Sequence, residues 1–217
     1  MSEAQRSRGR PRDLRKREAI LDAATALFYE RGIAATSMEA VAERAGVSKM
    51  TVYGHFPDKP ALLEATFERN IAEIRLPELA DQADLAASLA ALIGFGERLI
   101  SFLTRPEIVK GGRLMAASAV EHPALAAAFF AAGPATMVGA VAAFLRSLES
   151  RHLLAIGDPD LAAEQLIGAW LGLSQVKQNL GVAGPPSAEE ISRRVRRATE
   201  TFWRAWMAGP PQLGQST

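Results

Sequence analysis

The sequence predicts an all-α fold: an N-terminal three-helix helix-turn-helix domain and a larger helical domain behind it. Three observations carry this. Apolar residues recur at helical rather than alternating spacing, strand signals are nearly absent, and alanine is abundant throughout the 217 residues. Turn residues then punctuate the chain into short helices.

Ile20, Ala23, Ala24, Leu27 and Phe28 form an i, i+3, i+4, i+7, i+8 stripe on a first helix over 14–31, which Asp13 can cap and Gly32 can end. Thr36-x-x-Glu39 is a capping box for a second helix that stops at Gly46. Ser48 suits the N-cap of a third, short helix reaching His55. Asp58 caps a helix over 59–75, with Pro60 in its first turn, where a missing N–H costs little. Pro77 marks a joint. Helices are then expected over 82–104, 106–121 and 123–132, and the Gly133-Pro134 pair restarts one over 134–151. GDPD at 157–160 is a turn with Asp158 or Asp160 as cap, opening a helix over 160–180. GVAGPPS is a loop, and a last helix runs over 187–207. The expected organisation is a basic arm at 1–17, a helix-turn-helix domain at 18–62, a second domain at 63–208 and a flexible tail at 209–217.

Composition narrows the classes. Apolar residues at 48% and charged residues at 23% suit a globular chain with a buried core. With no cysteine there is no disulfide or thiolate metal site, and the polar, basic start has no apolar core of a secretory signal. No run of apolar residues approaches the roughly 20 needed to span a bilayer, so a soluble, cytoplasmic protein without a membrane partner is expected. Net charge is only +1, but residues 1–62 hold 11 Lys/Arg against 8 Asp/Glu. Between Arg6 and Arg17, seven basic residues face one acid, Asp13. Such a block suits a phosphate backbone or a solvated tail.

The segment TSMEAVAERAGVSKMTVYGHFPDKP, residues 36–60, is where a function becomes legible. Val41, Ala42, Ala45, Val47 and Val52 let two short helices pack, and Gly46 lets the chain reverse. Ser48 and Lys49 open the second of these helices, whose free N–H groups and dipole favour an anion. Lys49, Thr51, Tyr53 and His55 would then face outward to reach phosphates or base edges, with Phe56 inward and Lys59 near the flanking backbone. Tyr53 is read as a brace with its hydroxyl on a phosphate, and His55 as either a contact or a plain surface histidine. Gly54 offers no side chain for readout, and Met50 suits either a thymine methyl or packing.

These residues closely resemble the N-terminal domain of the TetR family of bacterial transcriptional regulators. About 45 positions match, AILDAATALFYERGIAATSMEAVAERAGVSKMTVYGHFPDKPALL, from Ala19 to Leu63. The resemblance implies that Thr36 touches phosphate, that Ser48, Lys49, Thr51, Tyr53 and His55 line the recognition helix, and that Lys59 clamps the backbone. It also implies double-stranded operator DNA as partner and a homodimer as the working form. In the arm, RGRPR at 8–12 is similar to the core of an AT-hook. Arg8, Arg10 and Arg12 either enter an A·T minor groove or act as a non-specific tether.

The rest of the chain reads as a ligand-binding and dimerisation domain. The stretch RLMAASAVEHPALAAAFFAAGPATMVGAVAAFLRSLESRHLLAIGDPDLAAEQLIGAWLG resembles the AefR-like C-terminal class within the TetR family. Phe95, Leu99, Phe102, Met115, Phe129, Met137, Val141, Phe144 and Trp170 fall on apolar helix faces. They suit a pocket for a small hydrophobic ligand, or an ordinary filled core. Arg113, Glu121, His122, Gln165 and Gln175 are candidate polar groups beside such a ligand, and Gly111-Gly112 permits either close helix contact or a loosened helix. In TetR-like proteins the last two helices meet a second copy. Here they carry Leu161, Leu166, Leu173, Ile191, Val195, Phe202 and Trp206, and Trp170 is shared with the pocket set. Arg193, Arg194, Arg196 and Arg197 are read as a solvated face.

No catalytic motif is supported: Ser174-x-x-Lys177 has a nucleophile-like spacing but lacks its companions. No metal site or cofactor is expected. The function expected is a regulator, a repressor released from a palindromic operator by a small hydrophobic ligand. The alternatives are a constitutive DNA-binding protein without an effector and a TetR-like activator.

Overall fold

The computed structural model describes residues 10–74 and 84–207, and among these every regular element is helical. In chain order they are α1 (Arg10–Arg31), α2 (Met38–Ala45), α3 (Lys49–His55), α4 (Lys59–Ile74), α5 (Leu85–Leu103), α6 (Pro106–Ser118), α7 (Pro123–Phe130), α8 (Thr136–Ser150), α9 (Pro159–Leu171), α10 (Ser174–Asn179) and α11 (Ala188–Met207). The chain forms two compact units, Met1–Asn70 with Lys110–Gly133, and Ile71–Val109 with Pro134–Thr217. The first unit is therefore larger than the 18–62 segment.

The first unit is built around α1. Ile20, Ala23, Ala24, Leu27 and Phe28 are all buried, as their stripe requires, and Leu21 joins them. Val41 and Ala42 of α2, Val52 and Phe56 around α3, and Leu62 and Leu63 of α4 complete the core. Met115 and Leu125 also pack into it from α6 and α7. Gly32 ends α1 with φ +86°, and its N–H donates to the Phe28 carbonyl at 3.0 Å. Asp58 caps α4 by accepting from the Ala61 N–H at 2.8 Å. Gly111 is a point of close approach: a β-carbon there would lie 3.3 Å from the Tyr29 ring, whereas at Gly112 it would meet nothing.

The second unit packs α5, α8, α9 and α11 around Phe95, Leu99, Phe144, Leu145, Leu166, Trp170 and Val195. Trp170 has no exposed surface, and its Nε1–H donates to the Thr199 hydroxyl at 2.9 Å. Thr199 in turn donates to the Val195 carbonyl at 2.7 Å, so the polar edge of the indole is satisfied within the core. Gly96 of α5 makes this crossing possible. A β-carbon there would lie 2.7 Å from Val195 Cγ1 and 3.0 Å from Trp170.

Several expectations change. Helix α1 starts at Arg10 rather than 14, with Pro11 in its first turn. The expected break at Gly133-Pro134 is a π-helical turn, Ala131–Ala135, between α7 and α8. Gly133 is needed there, because a β-carbon would sit 2.7 Å from Phe67. The single helix expected over 160–180 is two, divided at Gly172, whose φ 51° and ψ −135° suit glycine alone. Asp158, not Asp160, caps α9 through the Leu161 N–H at 3.0 Å, while Asp160 pairs with Arg146 at 2.7 Å. The expectation that nothing approaches a membrane-spanning length is also corrected. Leu85–Leu103 and the run Pro123–Ser150 are long and apolar enough, with mean hydropathies of 1.5 and 1.8. Length and composition are weak grounds for a span, since core helices share them. Leu92, Phe95 and Leu99 of the first such helix are buried in the second unit.

Candidate DNA-binding site

The turn between α2 and α3 is set by Gly46. Its φ 65° and ψ 32° are left-handed, its N–H reaches the Glu43 carbonyl at 3.2 Å, and the next N–H, of Val47, reaches Ala42 at 3.1 Å. This pair of bonds is a Schellman motif, which closes α2 and turns the chain. Ser48 then opens α3: its hydroxyl accepts from the Thr51 N–H at 3.1 Å and lies 2.8 Å from the Thr51 hydroxyl. Val52, with no exposed surface, and Phe56 anchor α3 to the core. Burial of a valine side chain is worth about 1.5–3 kcal/mol. The opposite face of α3 is left outward, with Lys49, Met50, Tyr53 and Gly54 exposed and Thr51 half-buried.

Lys49 is held within the site. Its ammonium pairs with the carboxylate of Glu39 on α2 and lies 5.6 Å from the Tyr53 ring centroid. The hydrogen bond to Glu39 raises the Lys49 pKa above its ordinary value, and the same bond to Lys49 lowers that of Glu39. Met50 is 80% exposed, so of its two readings packing is corrected and outward display is what the structure has.

Three expected contacts are corrected. Thr36 is 2% exposed, and its hydroxyl donates to the Gly32 carbonyl at 2.8 Å. The cap of α2 is Ser37 instead, accepting from the Ala40 N–H at 3.1 Å. His55 turns back, with Nε2 3.1 Å from Asp13 Oδ1 on α1 and its side chain only 15% exposed. Lys59 donates to the Ile33 and Ala34 carbonyls at 3.1 and 2.9 Å. Burial lowers its pKa, and its reach is taken up by the turn after α1 rather than by solvent. In the arm, Arg10 begins helix α1, which replaces the extended backbone an AT-hook requires. Arg12 lies in the same first turn, and Arg8 is outside the described residues. Ser37 was missed as the cap, one residue after Thr36, and Glu39, placed in the capping box, was missed as the partner of Lys49.

The pocket residues do not share one core. Phe95, Leu99, Met137, Val141, Phe144 and Trp170 pack in the second unit with Phe102 partly buried against them. Met115 is instead buried in the first unit, where Phe129 packs edge-on to Phe67 at 5.2 Å. The side chains of the second-unit set fill their own core, as with Phe95 against Trp170 at 6.2 Å. Of the nine, Phe102 alone lines the second unit's open groove of about 510 Å³, alongside Glu97, Arg98, Ser101, Arg105 and Ser192. Arg113, Glu121, His122 and Gln165 are exposed and Gln175 half-buried. Among the described residues no cluster of His, Cys, Asp or Glu could hold a metal.

The dimer set also divides. Leu161 and Leu173 are exposed at 49% and 66%, and Phe202 is half-buried. Leu166, Ile191, Val195 and Trp206 point into the unit's own core, a correction set by the burial of one full face of α9 and α11. Val176, Leu180 and Val182, unremarked in the sequence, are exposed apolar residues near Leu173 in the chain. Arg194 is no solvated cation: it donates to the Leu171 carbonyl at 3.0 Å and to the Ser174 hydroxyl, tying α11 to the break at Gly172. Arg193, Arg196 and Arg197 are exposed.

Comparison with known proteins fits this geometry. Residues 20–66 match the model of the bacterial regulatory proteins of the tetR family. Residues 90–208, more than half of the chain, match the C-terminal domain of the AefR-like transcriptional repressors. The chain belongs to the TetR family. A crystal structure of a TetR-family regulator from Mesorhizobium loti is 31% identical, with 89% of this chain and 98% of that one covered and a TM-score of 0.71. The flavonoid-responsive regulator FrrA is 30% identical, with 88% and 96% covered and a TM-score of 0.67. Among curated relatives, the regulator YdeS of Bacillus subtilis is 38% identical over 103 residues, 48% of this chain and 50% of its own length. TtgR of Pseudomonas putida is 34% identical over 95 residues, 41% of this chain and 45% of its own. The chain thus spans about half the length of the curated relatives it matches. TetR-family proteins are DNA-binding transcriptional regulators that act as dimers, so the enzyme alternative falls with the family.

Proposed function

We propose that this chain is a dimeric, cytoplasmic repressor that binds a palindromic operator through α3 and is released by a small hydrophobic ligand. The observation that carries the reading is the outward face of α3, with Lys49, Met50, Thr51 and Tyr53 displayed from a helix anchored by Val52 and opened by Ser48. A helix of that build enters a major groove with its N-terminus toward phosphate. The second copy docks through the exposed apolar residues Leu161, Leu173, Val176 and Leu180. The ligand reading is supported by two relatives: FrrA is described as flavonoid-responsive, and SmeT, 25% identical, was solved with triclosan. Ligand binding shifts the population toward a state that holds operator less well. Arg8, Arg10 and Arg12 add phosphate attraction beside the main site.

The test begins with operator selection from random-sequence duplex DNA. The recovered operator is then titrated with the protein in the presence of triclosan or a flavonoid. A palindromic consensus with ligand-dependent release is expected. A palindrome bound equally with and without every ligand would favour the constitutive reading.

A further inference from the structure

We propose that Glu39 is a specificity residue of the DNA-binding site: its carboxylate holds Lys49 back from the phosphates of non-specific DNA and yields it when α3 is seated in the operator. The inference rests on the proposed role of α3 as recognition helix.

Apart from His55, which is tied to Asp13, Lys49 is the one basic residue of α3. It stands directly after the capping Ser48, where free N–H groups and the helix dipole already attract a phosphate. A lysine in that place would be the helix's strongest sequence-independent contact. Instead its ammonium is engaged by Glu39, on the first turn of the neighbouring α2, and lies 5.6 Å from the Tyr53 ring centroid. Both partners are about half exposed, at 58% and 53%, so the pair lies on the outer surface and is not part of the core.

Pairing has a definite consequence. Non-specific affinity comes almost wholly from cations released against phosphates, at a salt slope of about 0.9 per neutralised phosphate. A Lys49 that keeps Glu39 as partner contributes little to that slope. The carboxylate also repels phosphates that approach at random. In the operator, Met50, Thr51 and Tyr53 fix α3 in the groove, and the phosphate beside the helix N-terminus then displaces Glu39 from Lys49. Glu39 therefore weakens all binding somewhat and weakens wrong binding more, which is how a repulsive group produces specificity.

The experiment compares wild type, Glu39→Gln, Lys49→Ala and the double variant. Each is titrated against a selected operator duplex and against poly(dI-dC) over a range of salt. Glu39→Gln is expected to bind poly(dI-dC) about two- to fivefold more tightly, with a salt slope steeper by about 0.9. The operator-to-non-specific ratio should fall. In the Lys49→Ala background the same change should lose the slope effect. If Glu39→Gln leaves non-specific affinity and slope unchanged, or alters them equally with and without Lys49, the proposal is overturned. If Lys49→Ala alone leaves operator affinity unchanged, the proposal is overturned as well; if Tyr53→Ala also leaves it unchanged, the recognition-helix reading is what fails.

Discussion

Lys59 shows how the nearest acceptors decide a side chain's role. A flexible lysine at a helix start suits a phosphate clamp, but the Ile33 and Ala34 carbonyls in the turn after α1 lie within its reach. Lys59→Met should therefore cost about 1–3 kcal/mol of stability, because two partly buried carbonyls lose a charged donor. Urea unfolding measures this, and operator affinity of the folded fraction should change little. A large loss of affinity with unchanged stability would restore the clamp. Thr36 and His55 follow the same logic. Each has the right chemistry for DNA, and each is drawn inward by a partner that is non-local or one turn away, Gly32 for Thr36 and Asp13 for His55. Residue type was legible at these positions, but direction was not. Ser48, Val52 and Phe56 were legible because their partners lie within one helical turn or along one apolar stripe.

Helix periodicity and caps carried most of the elements. Asp58, Asp158, Gly32 and Gly46 stand where local hydrogen bonding needs them. The errors arose where tertiary contacts override local signals. Pro134 is absorbed in a wide π turn, and Gly172 breaks a helix whose two halves are held by Arg194 from α11. Gly172→Ala should destabilise the protein by about 1–3 kcal/mol through backbone strain alone. Gly96 acts through packing rather than conformation. A methyl group there has no room beside Val195 and Trp170, so Gly96→Ala should cost about 1–3 kcal/mol. The second unit's tryptophan fluorescence should follow the loss, since Trp170 is one of the two residues such a methyl would crowd. An unchanged urea midpoint for Gly96→Ala would mean that α5, α9 and α11 separate more easily than their contacts suggest.

At the scale of the molecule, the all-α class was legible from periodicity along the whole chain and the family from Ala19 to Leu63, while the pairing of distant segments was not. Met115 and Phe129 fit an apolar pocket by type, yet they belong to the unit that carries α3, because α6 and α7 pack Met115 and Leu125 beside α1. Apolar periodicity marks a buried face without saying which core buries it. The dimer reading has the same origin: Ile191 and Val195 keep the stripe, but they serve the core of their own unit, whereas Leu161, Leu173, Val176 and Leu180 are among the exposed apolar residues. Leu173→Asp with Leu180→Asp should yield a folded monomer by light scattering. That monomer should lose most operator affinity, because two half-sites spaced by about one helical turn or a multiple need two linked recognition helices.

On the proposed function, α3 holds the operator through Lys49 and Tyr53. Fluorescence anisotropy on the selected operator, with light scattering on the same samples, tests it through the double variant Lys49→Ala, Tyr53→Ala. A dimer of unchanged mass is expected, with operator affinity lower by about 100-fold or more. A dimer that still binds the operator as the wild type does would contradict it.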